Sequence, residues 1–157
     1  MPPEFPVAAG EVYRVEDEDI ATPQPEPFVV DPDIVDRGIS GHRRTQNLLA
    51  TQLREAGSEP LSHRVGIDPP FDVAWRRGDI LYVAEVKSLT PRNQERQLRL
   101  GLGQLLRYAY QLRAEGSEVV PVLVCESEPT DPTWVDLCRD LGVAIVWPAT
   151  FEQFVLD

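Results

Sequence analysis

The run Tyr82-Val83-Ala84-Glu85-Val86-Lys87 is apolar except for two opposite charges. Side chains alternate across a strand, so residues two apart share a face. Leu81, Val83, Glu85 and Lys87 then form one face, and Tyr82, Ala84 and Val86 the other. A carboxylate and an ammonium on a covered face must pair or serve a ligand, because a lone buried charge is costly. A structural ion pair is enough to account for these two residues alone. Asp72 adds a third charge. It precedes Glu85 by 13 residues across the turn signal Arg76-Arg77-Gly78-Asp79, which brings the two carboxylates close to level on neighbouring strands. Adjacent carboxylates repel unless a cation lies between them, and a divalent ion with oxygen ligands is the natural solution. The backbone carbonyl of Val86 offers one more oxygen. Lys87 points to the same place, where an ammonium can position a nucleophilic water or stabilise a phosphate in transit.

The elements that must hold these groups can be read around them. "ISGHRRTQNLLATQLREAG" has a helical stripe of Leu48, Leu49, Gln52, Leu53 and Ala56, with Ser40 as the expected N-cap and Gly57 as the stop. "PLSHRVGI" reads as a strand, and "FDVAWRRGDILYVAEVK" as a hairpin. In "TPRNQERQLRLGLGQLLRYAYQLRAEG", Thr90 caps a helix, Pro91 suits its first position and Gly116 ends it. Its buried stripe is Leu98, Leu102, Leu105, Ala109 and Leu112. Gln97, Gly101, Gln104, Tyr108 and Gln111 recur at helical spacing as a polar face opposite those leucines. Gly101 and Gly103 cost about 1 kcal/mol each inside a helix. Close approach of a backbone or ligand accounts for them, as does tight helix packing. "EVVPVLVC" is a continuous apolar strand of the parallel kind. "DPTWVDLCRDLG" is a helix capped by Asp131, "VAIVW" a strand, and "ATFEQFVLD" a terminal helix. The order α-β-β-β-α-β-α-β-α is α/β, with a mixed sheet.

Asp72 followed by Glu85-Val86-Lys87 resembles the D…ExK signature of the PD-(D/E)XK nuclease superfamily. Gly38-Ile39-Ser40-Gly41-His42 is similar to the GxxxH motif of its RecB-like exonuclease branch, and Gln104-Leu105-Leu106-Arg107-Tyr108 to the QxxxY motif that follows on a helix. The four motifs stand in the family's order over residues 38–108. The resemblance implies a restriction-endonuclease-like three-layer core, a mixed central β-sheet flanked by helices. It implies that His42, Asp72 and Glu85 ligate Mg2+ or Mn2+ and that Lys87 is the catalytic lysine. Gln104 and Tyr108 would line the site and contact the nucleic acid or the lysine. The implied activity is hydrolysis of DNA phosphodiester bonds, endo- or exonucleolytic, on single- or double-stranded DNA. DNA repair and defence against foreign DNA are the family's settings. The alternative is a non-catalytic module of the same fold that binds nucleic acid or a protein partner. Two departures stand out. Phe71 occupies the position before Asp72 where the family has proline, and the cysteines of its iron–sulfur members are missing. His63, in "LSHRV", has no motif support.

The remaining features bound the setting. At 157 residues the chain allows one domain. It reads as an acidic, proline-rich arm over 1–36 and a nuclease-like domain over 37–157. The arm carries 10 acidic and 1 basic side chains, net -9, and "EVYRV" within it suits a short strand. Residues 37–114 carry 7 acidic and 13 basic, net +6, and residues 115–157 carry 9 acidic and 1 basic, net -8. The basic middle can attract a polyanion, and the arm can compete for it. Arg92, Arg96, Arg99 and Arg107 are phosphate-contact candidates, each of which reads equally well as a solvated face. Trp75 and Tyr108 read as core or stacking residues, and Trp134 and Trp147 as core or rim. Cys125 and Cys138 read as packed free thiols of a reducing compartment. No apolar run reaches membrane length and no signal peptide is read, so a cytoplasmic protein with no membrane contact is expected. A protein partner or a homodimer is one way for such a chain to gain specificity.

Overall fold

The computed structural model of the chain describes residues 11–12, 14–15 and 32–157, with the side chains of the first helix from Gly38 onward. Most of the expected arm lies outside the described residues. Glu11, Val12, Arg14 and Val15 are exposed and belong to no strand, so the short strand expected there is not formed among them.

Helix α1 spans Pro32–Glu55. It starts well before Ser40, which is an exposed position inside the helix rather than its cap. A hydroxyl inside a continuing helix has no free first-turn N–H to accept from, so the capping expectation fails there. The buried line of α1 is Gly41, Thr45, Leu49 and Leu53, spaced by four, while Leu48 sits at the rim. Thr45 is buried with its hydroxyl donating to the Gly41 carbonyl at 2.7 Å. Gly57 stops the helix at φ 85, a left-handed value that favours glycine. The Ser58 N–H returns to the Leu53 carbonyl and the Gly57 N–H to that of Arg54, which is the Schellman pattern.

The expected strand over "PLSHRVGI" is reduced to a single bridge between Leu61 and Ala74. Arg64 and Asp68 hold each other through backbone and side-chain bonds, and that local closure turns the chain away from the sheet. The hairpin forms as expected. Strand β1, Val73–Arg77, pairs antiparallel with β2, Ile80–Lys87, and Gly78-Asp79 make the two-residue turn. Helix α2, Gln94–Ala114, follows. Its lead-in turn is closed by Thr90 and Asn93, each side chain accepting the other's backbone N–H. Pro91 lies in that turn, ahead of the helix. Strand β3, Glu118–Cys125, then runs parallel to β2, and β4, Ala144–Val146, runs parallel to β3. Helix α3, Thr133–Asp140, joins them, and α4, Pro148–Leu156, ends the chain.

The fold is α/β, with a mixed four-stranded sheet of order β1-β2-β3-β4 flanked by helices. One face carries Trp75, Ala84, Val86, Val122 and Val124 against Leu49 and Leu53 of α1 and Phe151 and Val155 of α4. The other carries Leu81, Val83, Val119 and Leu123 under α2 and α3. Trp75 is fully buried and stacks on Tyr82 at 5.3 Å. Trp134 is buried too, its indole N–H donating to Glu95. Both thiols are buried and free, and desolvation pushes Cys125 up to about 12. Among the described residues, no helix is long and apolar enough to cross a membrane.

Candidate active site

Alternation along β2 turns Glu85 and Lys87 toward α2, on the face of Leu81 and Val83. They form an ion pair, Lys87 Nζ donating to Glu85 Oε1 at 3.2 Å. Both are nearly enclosed, their side chains 6% and 12% exposed for Glu85 and Lys87 respectively. Glu85 Oε2 is buried and has no hydrogen-bond partner among the described residues.

Val73 pairs with Ala84, so the register carried back by one residue sets Asp72 opposite Glu85. The Asp72 N–H still reaches the Ala84 carbonyl at 3.1 Å. Beyond it β1 has no backbone to offer Val86. The Asp72 side chain takes that place, with Oδ2 accepting the Val86 N–H at 2.7 Å. Within an extended strand the C=O of a residue points to the same edge as its N–H, so the Val86 carbonyl is turned toward Asp72 as well. From the other side His42 on α1 reaches Asp72 Oδ2 with Nε2 at 3.2 Å. Gln46, one turn after His42, lies 3.4 Å from the Asp72 carbonyl. The sequence reading missed Gln46, although its spacing of four from His42 marks the same helix face.

Four of the expected residues thus meet through two charge pairs, His42–Asp72 and Lys87–Glu85. Among the described residues, no three His, Cys, Asp or Glu side chains are gathered into a cage for an ion. The pairs still feel each other. Burial first, and then the charge of Asp72, push the Glu85 carboxyl up to about 7, and Lys87 only partly offsets them. The hydrogen bond to Asp72 raises the His42 imidazole, burial opposes it, and the charges of Asp72 and Glu85 add to the rise. Helix α2 closes the wall. Burial and the charges of Glu85 and Asp72 raise the Tyr108 hydroxyl, against the lowering effect of the Gln104 amide. Gln104 Oε1 is a second buried acceptor with no partner among the described residues.

The two glycines of α2 differ. A Cβ on Gly101 would stand 2.7 Å from Leu123 Cδ1 and 3.0 Å from Lys87 Cγ, so this glycine lets the helix approach the lysine stem. A Cβ on Gly103 would meet nothing within 4 Å, and close approach does not explain it. The glutamine face is also not opposite the leucines. Gly101 and Tyr108 are buried among them, and Gln97, Gln104 and Gln111 form the half-buried shoulder beside. Helical spacing shows which residues share a face but not which face the sheet covers, and here the sheet takes the glycine together with the leucines.

Residues without motif support sit elsewhere. His63 Nδ1 bonds the Phe71 carbonyl at 2.8 Å, a structural task that secures the approach to Asp72. Phe71, in the family's proline position, is buried under α2. Arg92, Arg96, Arg99 and Arg107 are all exposed. Arg99 is paired with Glu95 at 2.9 Å, and Arg107 lies over the Tyr110 ring at 5.9 Å.

No protein-family model matches the chain, and no curated protein matches it. A crystal structure of protein VC1899 from Vibrio cholerae is similar over 71% of this chain and 31% of that one, with a TM-score of 0.42 and 16% identity. The chain thus spans under a third of that structure's length, and a likeness this low carries no argument about fold or function.

Proposed function

We propose that this chain is a metal-dependent deoxyribonuclease with a restriction-endonuclease-like core, of the RecB-like kind that its motifs resemble. The observation that carries the reading is Asp72 level with Glu85 on neighbouring strands beside Lys87, with one Glu85 oxygen buried and unpartnered among the described residues. Two carboxylates and a strand-edge carbonyl form an oxygen-rich donor set that fits Mg2+ or Mn2+, and the His42 imidazole favours Mn2+ beside Mg2+. A carboxyl held near 7 by burial and a like charge is one that a cation at this place would ionise. When bound, that ion would supply a nucleophilic water at neutral pH and stabilise the leaving oxygen.

The chain's own residues do the rest. Asp72 is locked from two sides, by the Val86 N–H and by His42, so its free oxygen is held in direction. Lys87 is packed against Gly101 along its stem and keeps its ammonium beside Glu85. An ammonium held there can orient a water and balance the charge that grows on a phosphate. Gln104 and Tyr108 form the wall against which a nucleotide would lie.

The test is cleavage of linear, circular and single-stranded DNA by the purified chain with Mg2+ or Mn2+. Lys87→Ala and Asp72→Ala should each lower kcat by at least about a hundredfold, on the scale of losing one charge-stabilising group. Binding of DNA with no cleavage of any substrate, by the wild type and both variants alike, would mark the chain as a non-catalytic module.

A further inference from the structure

Glu126 belongs neither to the two charge pairs nor to the α2 wall, yet it touches both elements that carry the site's charges. Strand β3 ends at Cys125, opposite Lys87. Pairing runs one residue further, with the Glu126 N–H donating to the Lys87 carbonyl at 3.0 Å. Alternation puts the Glu126 side chain on the face of Val122 and Val124, which is the face that α1 covers. There Oε2 accepts the Leu89 N–H at 3.1 Å and holds the segment that leaves Glu85-Val86-Lys87.

The rest of the carboxylate lies over Gly41, the residue before His42. A Cβ at position 41 would stand 2.5 Å from Glu126 Oε1 and 2.9 Å from Cδ. One turn earlier Gly38 faces Ser88, whose hydroxyl oxygen would lie 3.7 Å from an added Cβ. Gly38 and Gly41 therefore give α1 a face without side chains where it crosses the end of β2. Glu126 fills the gap at Gly41. The buried Thr45–Gly41 bond fixes that turn of the helix from within.

We propose that Glu126 is a positioning residue: its carboxylate, bonded to the segment after β2, packs against the bare Gly41 turn of α1 as a spacer and so sets the contact between His42 and Asp72. Its catalytic consequence rests on the nuclease reading above; the geometric part does not. Removing the carboxylate frees the Leu89 segment and empties the space over Gly41, so that α1 can shift against the end of β2. His42 and Lys87 then lose their fixed relation, and misplacements of about 1 Å commonly cost on the order of a hundredfold in rate.

The experiment compares Glu126→Ala, Glu126→Gln, Gly41→Ala and the double variant Gly41→Ala/Glu126→Ala, with Glu128→Ala as an exposed neighbouring control. Nuclease kinetics and the 15N signals of the His42 ring are read in each. Glu126→Ala should lower kcat by about tenfold or more with KM for DNA within about twofold, and should move the His42 signals. Glu126→Gln keeps an acceptor for Leu89 and should stay within about threefold of the wild type. Gly41→Ala should lose activity alone. It should recover part of it in the double variant, because the added methyl then has room. That compensation remains readable even if Glu126→Ala by itself folds poorly. Wild-type kcat and an unmoved His42 signal in Glu126→Ala, or a double variant no better than Gly41→Ala, would overturn the proposal. A wild type that cuts no DNA would sink the nuclease reading instead. The His42 signals of the Glu126 variants would then decide the positioning role on their own.

Discussion

Replacing Glu85 by glutamine should change how the stability of the metal-free protein depends on pH, and the size of the change follows from the site. The Glu85 carboxyl titrates at about 7 in the folded chain, against an ordinary 4.5, because burial and Asp72 disfavour its charge. A raised carboxyl means that the folded state holds the proton more tightly than the unfolded state does. The cost is absent below about pH 4.5, where both states are protonated. It grows as pH rises and is complete above about pH 7. At about 1.4 kcal/mol per pH unit, this window amounts to about 3 kcal/mol at the most. His42 acts in the same direction from its ordinary value upward: its raised imidazole stabilises the fold below about 6.5 and that contribution is lost as pH climbs through the raised value. Glutamine removes the Glu85 part, whose value already contains the partial offset from Lys87, and with it the share of the His42 rise that comes from the Glu85 charge, which acts in the same direction. The assay is urea unfolding of wild type and Glu85→Gln in chelator, at steps from about pH 5 to about pH 8. The stability of the variant relative to the wild type should climb by about 2–3 kcal/mol across that range. A difference that stays flat within about 0.5 kcal/mol would refute the account of a carboxyl strained by burial. Saturating Mn2+ gives the second arm. It should stabilise the wild type at about pH 8, by an amount set by its concentration over Kd, and leave the variant nearly unmoved. Equal stabilisation of both proteins, or of neither, would remove Glu85 from the metal reading.

Other outcomes follow from the packing around the site. Gly101→Ala drives a methyl into Leu123 and the Lys87 stem, so it should cost about 1–3 kcal/mol in thermal unfolding and lower activity with it. Gly103→Ala enters open space and should stabilise by about 1 kcal/mol, so equal effects of the two substitutions would contradict the close approach at Gly101 alone. Thr90→Ala removes one of the two reciprocal bonds that close the turn leading into α2 and should cost about 1 kcal/mol, with hydrogen exchange quickening at the start of the helix.

Much of this architecture is local and therefore visible in one dimension. The alternation that puts Glu85 and Lys87 on one face of β2 needs only the two-residue period of a strand. The hairpin that levels Asp72 with Glu85 needs only a short turn with a glycine. The helix ends at Gly57 and Gly116 are written in single residues whose backbones take φ 85 and φ 98. The expectations that failed had local grounds but non-local answers. "PLSHRVGI" has strand composition, yet Arg64 and Asp68 close a turn within it and the sheet receives only Leu61. Ser40 has the chemistry of a cap, yet α1 already runs through it from Pro32.

By itself, then, the sequence determined the periods, the turns and the company of charges around Glu85. Each depends on residues a few positions apart, and their steric and hydrogen-bonding rules act without knowledge of the rest of the chain. Tertiary structure alone decided which side of α2 the sheet covers, that Asp72 closes the β2 edge in place of a missing strand, and that a carboxylate from β3 rests on a bare turn of α1. Those outcomes come from surfaces brought together across tens of residues. There, fractions of an ångström, such as the gap that Gly41 leaves for Glu126, settle what can meet.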